Sequence, residues 1–301
     1  MKGLEKRHIE RMDTDVTFIG FGGLEIGRNW GMGSNTQRPN EETAKEVLNT
    51  VLNVGINLID TASAYHKSEE RIGKFVSDRR NEYVLATKCG EHSNEPNTYY
   101  DFSYKAVSDS IDNSLKLLKT DVIDLIQIHF GPDPKKVLDD GETVAAMKDA
   151  KKAGKVRFLG ASIDGELATR CIMSDDFDVM QLGYNMMHQG SADNISLAKE
   201  KGLGVLIRGG LGNGLFTPRI IDNIDNINEY EKVRMKALLQ LVDNNVDTLQ
   251  AIALNFLYNN KGISSILLGT KNPEHVKKNL ELLEMNISPE MMSEAEKIIK
   301  G

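Results

Sequence analysis

The stretch Gly55-Ile-Asn-Leu-Ile-Asp-Thr-Ala-Ser-Ala-Tyr65 determines how the rest of the chain is interpreted. Its apolar residues 56–59 predict a short buried strand that ends at Asp60. A loop of small residues follows and carries Tyr65, and the residues Ser-Glu-Glu at 68–70 indicate the start of a helix. Because an unpaired carboxylate beside a core is energetically costly, we expect Asp60 to have a cationic partner nearby.

Two later strands end in residues that could pair with this carboxylate. Lys88 follows the apolar run 83–87, and His129 follows the run 122–128. In a parallel β/α barrel the carboxyl ends of the strands meet at one face, where the catalytic residues lie. We therefore predict that Asp60, Lys88 and His129 converge there, with the first loop beside them.

Apolar runs and amphipathic segments alternate along the whole chain. They predict strands at 17–21, 56–59, 83–87, 122–128, 156–161, 179–181, 203–207 and 263–268, and helices at 41–53, 68–79, 104–118, 135–153, 165–173, 192–201, 230–242, 247–259, 273–284 and 288–299. Near-continuous apolar strands separated by helices indicate a parallel sheet. Eight such steps favour a closed α/β fold, a (β/α)8 TIM barrel, over a doubly wound sheet. We expect one domain over residues 1–301.

The composition bounds the kind of protein and its partners. With 301 residues, 40% hydrophobic and 27% charged, the chain has an ordinary globular composition. Its net charge of −7 disfavours nucleic acid as the main partner, because phosphate contacts need a basic surface. No run approaches the ~20 apolar residues of a membrane helix, and the N-terminus lacks the apolar region of a signal peptide, so we expect a cytoplasmic protein without a membrane partner. The oligomeric state does not follow from the sequence.

The two cysteines, Cys89 and Cys171, are too few for a disulfide framework and lack metal-ligand spacing. We expect both to be small buried residues, and we expect no metal site. A redox role for Cys89 is an alternative, because this residue lies next to Lys88.

Three connections, at 23–40, 88–103 and 208–229, are longer than the roughly 12–15 residues usual for a loop without structure of its own. The first two carry aromatic residues, namely Trp30, Tyr99, Tyr100 and Phe102. These rings suit the walls of a substrate pocket, with Trp30 the first candidate for substrate contact. The alternative is that they are surface loops with incidental aromatic residues.

The predicted cluster has the parts of a general acid. Tyr65 alone, with a pKa near ~10, is neutral at pH 7 and a poor proton donor. An adjacent ammonium group lowers such a pKa, and Lys88 could supply it if Asp60 keeps the lysine charged and fixed. His129 could donate a hydrogen bond to the oxygen that gains negative charge. Together these groups suit protonation of the alkoxide that follows hydride delivery to a carbonyl.

Each residue alone also has an ordinary structural interpretation. Asp60 could be a turn acid and Tyr65 an exposed loop residue, whereas Lys88 could be a solvated strand end and His129 a core histidine. The placement of all of them at consecutive strand ends favours the catalytic interpretation.

The same residues resemble a known signature. The pattern Gly55-Ile-Asn-x-Ile-Asp-Thr-Ala-x-x-Tyr65, followed by Ser68-Glu-Glu-x-x-Gly73, by Ala86-Thr-Lys88 and by Asp124-Leu-x-x-Ile128-His129, is similar to that of the aldo-keto reductases. The resemblance extends over essentially the whole chain. It implies a barrel with Tyr65 as proton donor, Lys88 and Asp60 as the pair that tunes it, and His129 as the residue that orients the substrate.

A dinucleotide fingerprint of the G-x-G-x-x-G type is absent after the first strand, because Glu25 occupies its third glycine position. The resemblance nevertheless implies an NADPH/NADP site. Its expected residues are Gly22, Gly23 and Asp60 beside the dinucleotide, Ser162 and Gln181 at the nicotinamide amide, Arg208, Gly209, Gly210, Leu211, Gly212 and Gly214 along the pyrophosphate, and Gly269, Thr270, Lys271, His275 and Asn279 at the adenosine phosphate. Lys271, near a helix start, favours a 2′-phosphate.

These features predict an NADPH-dependent oxidoreductase that reduces aldehydes or ketones to alcohols, or runs the reverse reaction. Its partner would be a small-molecule carbonyl or alcohol substrate. An alternative is a nicotinamide-binding regulatory subunit with little turnover, like the β-subunits of potassium channels that share the pattern. A barrel enzyme that forms a Schiff base through Lys88 is less favoured, because a charged lysine paired with Asp60 is a poor nucleophile.

Overall fold

Eight parallel strands close into a barrel in the computed structural model, which describes residues 1–33 and 36–301. The strands are β1 (Ile19–Gly22), β2 (Leu58–Asp60), β3 (Val84–Cys89), β4 (Ile123–His129), β5 (Val156–Ser162), β6 (Val179–Gly183), β7 (Gly204–Arg208) and β8 (Ser265–Leu268). Each strand pairs in parallel with the next, and β8 pairs with β1. The predicted (β/α)8 barrel is therefore confirmed.

Helices cover the outside of this barrel. They span Leu24–Gly27, Glu41–Asn53, Ser68–Phe75, Tyr104–Leu118, Pro134–Asp140, Glu142–Lys152, Gly165–Met173, Ala192–Glu200, Arg219–Asn223, Glu229–Leu241, Val246–Asn259, Pro273–Glu284 and Pro289–Lys300. The side chain of Asn40 caps helix Glu41–Asn53 by accepting a hydrogen bond from the Thr43 amide. The residues of this helix that are buried against the core are Ala44, Val47, Leu48, Val51 and Leu52. Within residues 1–33 and 36–301, no helix is long and apolar enough to cross a membrane.

Two predicted helices differ from the structure. The helix predicted over 68–79 ends at Phe75, and a 3-10 turn over Ser77–Glu82 follows it. The helix predicted over 135–153 is two helices, because Gly141 between them has a φ of +71°. A left-handed glycine ends one helix and redirects the chain, whereas the apolar periodicity continues across it.

The predicted bounds of the first strand, 17–21, were also wrong. Residues Lys6–Ile9 and Thr14–Thr17 form an antiparallel hairpin, and only from Ile19 does the chain enter the barrel. This hairpin packs three apolar side chains, Ile9, Met12 and Val16, against apolar residues of six strands, namely Leu58, Ala86, Leu125, Val179, Leu206 and Leu267. The hairpin therefore closes the amino-terminal end of the barrel.

Polar residues lie two positions further along most of the same strands, toward their carboxyl ends. Residues two apart point to the same face of a strand, so five of the six apolar strand residues in this cluster are followed, two positions later, by a polar residue on the same face. The pairs are Leu58 and Asp60, Ala86 and Lys88, Leu125 and Gln127, Val179 and Gln181, and Leu206 and Arg208. The barrel interior thus changes from apolar to polar toward its carboxyl end.

The long connections contain more structure than predicted. Residues Glu91–Asn94 and Asn97–Tyr100 in the 88–103 segment form a second hairpin, here called the β3 hairpin. In the 208–229 segment, Leu215, Phe216 and Ile220 are buried in an apolar cluster that includes Ala295 of the last helix. The 23–40 segment begins with the short helix Leu24–Gly27, and its residues 34 and 35 lie outside the described residues.

A buried carboxylate connects the helix after β2 to β3. Glu69, in the first turn of helix Ser68–Phe75, is only 2% exposed. Its Oε1 accepts a hydrogen bond of 2.6 Å from the hydroxyl of Thr87, the residue before Lys88. Burial raises the pKa of Glu69 to about 6, although hydrogen bonds and the charge of Lys88 oppose that rise.

We expect this carboxylate to make the fold less stable at neutral pH. A pKa raised from 4.5 to about 6 means that the folded state favours the protonated form, so the stabilisation is complete below pH 4.5 and is lost as the pH rises through 6. The full loss is about 2 kcal/mol. Relative to wild type, Glu69→Gln should therefore gain about 2 kcal/mol of unfolding free energy between pH 4 and pH 7.5.

Denaturant titrations of both proteins across this pH range test the expectation. Glu70→Gln, at the exposed neighbouring position, is the matched control and should show no such trend. A constant difference between Glu69→Gln and wild type would contradict the assignment.

Candidate active site

The carboxyl end of the barrel contains a buried ion pair. Asp60, the last residue of β2, is 3% exposed, and Lys88 of β3 is 1% exposed. Nζ of Lys88 lies 2.5 Å from Oδ2 of Asp60 and donates a second hydrogen bond, of 2.8 Å, to the carbonyl of Thr61. Oδ1 of Asp60 accepts hydrogen bonds from the amides of Gln127 and Gln181, at 2.8 and 2.9 Å. The partner predicted for Asp60 is thus in place, and both carboxylate oxygens are satisfied.

This arrangement keeps the lysine charged. Burial by itself lowers the pKa of Lys88, but the charge of Asp60, the proximity of Tyr65 and hydrogen bonds to both outweigh it, so the pKa is raised. Lys88 is therefore an ammonium group at neutral pH and not a free amine. A Schiff-base mechanism needs the amine, and the geometry does not favour it.

Tyr65 lies directly above the pair. Its backbone amide donates to the carbonyl of Ala62, which closes the tight loop after β2. Nζ of Lys88 is 5.0 Å from the centre of the Tyr65 ring. The ring also meets that of His129 edge to face, with centroids 5.9 Å apart and an angle of 87° between planes. The structure therefore brings Asp60, Lys88, Tyr65 and His129 together, as the sequence predicted.

The pKa of Tyr65 does not change in the predicted direction. We expected the ammonium group of Lys88 to lower it, and this contribution has the expected sign. Burial of the phenol group is the larger effect, and the negative charges of Asp60 and Glu91 add to it, so the net pKa is raised. Without ligands, Tyr65 is therefore a protonated phenol, and the lysine only limits the rise.

His129, the last residue of β4, has a partner that the sequence did not reveal. Its Nδ1 lies 2.9 Å from Oε2 of Glu91, the first residue of the β3 hairpin. Glu91 is 6% exposed, and its backbone carbonyl accepts a hydrogen bond of 2.7 Å from the hydroxyl of Ser63. Arg28 approaches the same carboxylate at 3.8 Å. Glu91 lies two residues after the end of β3, and this position was the only local feature of the sequence that pointed to its contact with His129.

Aromatic residues of the long connections form a surface beside this cluster. Tyr100 stacks on Phe102 with centroids 6.0 Å apart, and Phe102 stacks on Phe130, the residue after His129, at 6.5 Å. Tyr100 and Phe102 of the 88–103 segment thus form a stacked aromatic row with Phe130, and their role as the wall of a substrate pocket stays a prediction. Trp30 is 44% exposed, and its backbone amide donates to the carbonyl of Thr36. The predicted contact of Trp30 with a substrate stays a prediction.

The thiols take no part in the cluster. Cys89 and Cys171 are both buried and unpaired, as predicted. Burial raises the pKa of each thiol to about 12. Because the thiolate is the reactive form, a redox role for Cys89 is not supported. Among residues 1–33 and 36–301, no three His, Cys, Asp or Glu side chains are grouped as metal ligands.

Three glycines leave strand ends without side chains where the dinucleotide is expected. The amide of Gly23 donates to the carbonyl of Asp60 at 2.7 Å, and a Cβ at Gly23 would lie 2.7 Å from Oγ of Ser68. A Cβ at Gly269, after β8, would lie 3.1 Å from the carbonyl oxygen of Gly22. The two backbones can therefore approach each other, and a ligand, closely.

The two residues predicted to hold the nicotinamide amide are also connected to the ion pair. Oγ of Ser162 donates to Oε1 of Gln181 at 3.4 Å, and Nε2 of Gln181 donates to Asp60. Gln181 also contacts Oε1 of Gln127 at 3.2 Å. Gln127 was missed, although it lies two residues before His129 and so on the same face of β4.

The glycine-rich segment after β7 has the backbone conformations that require glycine. Gly209, Gly212 and Gly214 have φ values of +66°, +60° and +119°. The carbonyl of Gly209 accepts a hydrogen bond from Asn185, and Leu211 packs against the apolar cluster below. These glycines and Gly210 therefore form a defined loop. Arg208, at its start, pairs with Asp164, which the sequence reasoning missed.

The segment after β8 collects cationic groups at a helix start. Nζ of Lys271 donates to the carbonyl of Gln37 at 2.8 Å, and Thr270 contacts Nδ1 of His275 at 3.2 Å. Arg219, from the segment after β7, pairs with Glu25 at 3.1 Å. Burial, followed by the positive charge of Arg219, lowers the pKa of His275.

The carbonyl oxygen of the Asn279 side chain accepts a hydrogen bond of 2.6 Å from Gln250, and the amide group of Asn279 is the part that could donate to a phosphate. The residues fit a nicotinamide dinucleotide. Glycine backbones permit close approach, and the helix start with its nearby cations suits phosphate groups.

Comparisons with known proteins agree with this geometry. A family model described as Aldo/keto reductase family matches residues 18–300. L-galactose dehydrogenase of Arabidopsis thaliana is 28% identical, with 100% of this chain and 96% of the relative covered. NADH-specific methylglyoxal reductase of Escherichia coli (strain K12) is 26% identical, with 91% and 93% covered. The holo form of aldo-keto reductase AKR11C1 from Bacillus halodurans has the same fold, with a TM-score of 0.81, 24% identity, and 98% and 96% of the two chains covered. Because the family model spans nearly the whole chain, this protein belongs to the Aldo/keto reductase family.

Proposed function

We propose that the protein is an NADP(H)-dependent oxidoreductase that reduces small aldehydes or ketones to alcohols, or oxidises the alcohols. The observation that carries this proposal is the buried Lys88–Asp60 pair beneath Tyr65, with His129 at the ring edge. The names of two relatives, a sugar dehydrogenase and a methylglyoxal reductase, support carbonyls and alcohols as the substrate class.

Each residue has a distinct role in this reaction. A nicotinamide cofactor, held by the glycine backbones and the cations described above, would supply a hydride for the carbonyl carbon. The hydroxyl of Tyr65 then gives its proton to the carbonyl oxygen, and the ammonium group of Lys88 stabilises the phenolate that remains. Asp60 keeps Lys88 charged and fixed. His129 orients the substrate oxygen, and solvent returns a proton to Tyr65 after the alcohol leaves.

The raised pKa of Tyr65 suits this role. A phenol that stays protonated up to high pH is available as a donor throughout the physiological range. A raised pKa also makes proton transfer from Tyr65 less favourable. The nearby charge of Lys88 opposes this effect, because it stabilises the phenolate that forms as the substrate oxygen is protonated.

The proposed preference for NADPH rests on two cations, Lys271 after β8 and Arg219 after β7. We expect both to face the 2′-phosphate, and Arg219 offsets the carboxylate of Glu25. One relative is NADH-specific by name, so both cofactors belong in the test.

The first prediction concerns the proton donor. Tyr65→Phe removes one hydroxyl and keeps the ring, so we expect NADPH affinity within a few-fold of wild type. Loss of a general acid typically costs ~10²–10⁴ in rate, and carbonyl reduction should fall by that factor. The measurement is aldehyde reduction followed by NADPH absorbance, beside NADPH titration by fluorescence.

Tyr104→Phe is the matched control, because this exposed tyrosine lies on the outer helix Tyr104–Leu118 and contacts Asp149. If Tyr65→Phe kept most of the wild-type turnover, the proton would come from another group and the proposed mechanism would be wrong. If the wild type bound NADPH but reduced no carbonyl, the regulatory-subunit alternative would replace the enzyme.

The second prediction concerns the cofactor. A charge-assisted hydrogen bond contributes roughly 1.5–3 kcal/mol, which is about ten-fold to over a hundred-fold in affinity. Lys271→Ala should weaken NADPH binding by such a factor and NADH binding far less. Lys277→Ala, an exposed change on the following helix, should alter neither affinity. Equal losses for the two cofactors in Lys271→Ala would show that Lys271 does not contact a 2′-phosphate.

A further inference from the structure

The contact between Glu91 and His129 constrains how the histidine can act. Nδ1 of His129 is buried, and Oε2 of Glu91 at 2.9 Å is the polar atom that faces it. This separation suits a hydrogen bond, but the ring N–H is not aligned with the carboxylate, and no other group within the described residues satisfies Nδ1.

Glu91 is an ionised acceptor. Burial by itself would raise the pKa of its carboxyl group, but hydrogen bonds with His129 and Thr98 and the positive charge of Arg28 leave the pKa below its usual value. An ionised carboxylate can only accept hydrogen bonds. The shared proton therefore lies on Nδ1 of His129.

This placement determines what the other ring nitrogen can do. A neutral imidazole carries one N–H, so a histidine protonated at Nδ1 has only a lone pair at Nε2. Such a ring can accept a hydrogen bond from an alcohol, but it cannot donate one to a carbonyl. Only the imidazolium form, protonated at both nitrogens, can donate from Nε2 while Nδ1 remains bonded to Glu91.

We propose that Glu91 is a positioning residue that fixes the Nδ1-protonated form of His129, so that the histidine assists carbonyl reduction as an imidazolium and assists alcohol oxidation as a neutral acceptor. This inference rests on the proposed function of the site. It makes the two directions of the reaction depend on pH in opposite senses, with acid favouring the donor form.

The charged and titratable groups around His129 come from four elements. They are Glu91 and Tyr100 of the β3 hairpin, Arg28 of the segment after β1, Asp60 and Tyr65 of β2 and its loop, and Lys88 of β3. Lys88 is already paired with Asp60, and Arg28 approaches the far side of Glu91. The carboxylate of Glu91 is therefore the group that acts directly on His129.

The protonation state can be read without any substrate. In ¹⁵N spectra of histidine-labelled protein, the two neutral tautomers and the imidazolium have distinct nitrogen shifts, and His129→Gln assigns the signal. We expect neutral wild-type His129 to give the signal of the Nδ1-protonated tautomer. In Glu91→Gln we expect the Nε2-protonated tautomer to appear, because a glutamine amide can donate to Nδ1.

Glu95→Gln is the matched control, because Glu95 is an acid of the same hairpin segment that pairs with Arg38 at 2.7 Å. It should leave the His129 signal unchanged. A wild-type His129 protonated at Nε2 alone, or a signal that Glu91→Gln does not alter, would overturn the proposal even if the protein reduces aldehydes.

Kinetics then test the consequence for turnover. A carboxylate that orients a metal-bound histidine is typically worth about 10–100-fold in activity, and we expect an effect of that size here. In Glu91→Gln the Nε2-protonated ring can donate to a carbonyl while neutral, so kcat/KM for reduction should no longer fall between pH 6 and pH 8. The kcat/KM for alcohol oxidation, which needs the lone pair at Nε2, should fall by such a factor, while NADPH affinity is unchanged. Glu91→Asp retains the charge and should recover the wild-type pH profile. A Glu91→Gln variant with the wild-type pH profile for reduction and unchanged oxidation would contradict the role. Absence of turnover in the wild type would instead overturn the proposed function, and the ¹⁵N spectra would still decide the state of His129.

Discussion

The buried ion pair between Lys88 and Asp60 is the interaction on which the rest of the site depends. Two charges inside a barrel are stabilised only when their remaining hydrogen bonds are satisfied. Here the amides of Gln127 and Gln181 and the carbonyl of Thr61 complete the set. Breaking such a pair typically costs about 3–5 kcal/mol, because one charge is left buried alone. Four strands thus supply parts to one network, and the network fixes the charge beneath Tyr65.

Two hairpins lie at opposite ends of the barrel, one at the apolar end and one beside the candidate active site. The N-terminal hairpin, Lys6–Ile9 with Thr14–Thr17, covers the apolar end of the barrel interior, so the polar residues lie at the opposite end. The β3 hairpin lies at that carboxyl end and brings a carboxylate to His129. It is connected to neighbouring segments by contacts of Ser93 with His66 and of Glu95 with Arg38. The carboxylate beside His129 therefore comes from a hairpin that contacts with neighbouring segments hold in place.

Much of this protein follows from local patterns in its sequence. Apolar runs alternate with amphipathic segments, and this alternation predicts the eight strands, the helices between them and the barrel. Each such pattern can be seen within a few neighbouring residues. Placing a charged or polar group at consecutive strand ends predicts that Asp60, Lys88 and His129 meet, because the carboxyl ends of parallel strands lie on one face. The resemblance to the aldo-keto reductases adds the roles of these residues, which periodicity alone does not supply.

Other features were decided only when the barrel closed. The hydrogen bond between Gln181 and Asp60 joins residues 121 positions apart, and no local pattern encodes it. The contact of Glu91 with His129 depends on where a hairpin packs, and the pKa of Tyr65 depends on how deeply its phenol group is buried. For Tyr65 the sequence predicts that the positive charge of Lys88 lowers the pKa, but burial, which raises the pKa, is the larger contribution. The sequence by itself therefore determines that Asp60, Lys88 and His129 meet. Tertiary packing decides their further partners and their protonation, because desolvation and hydrogen bonding depend on the folded state.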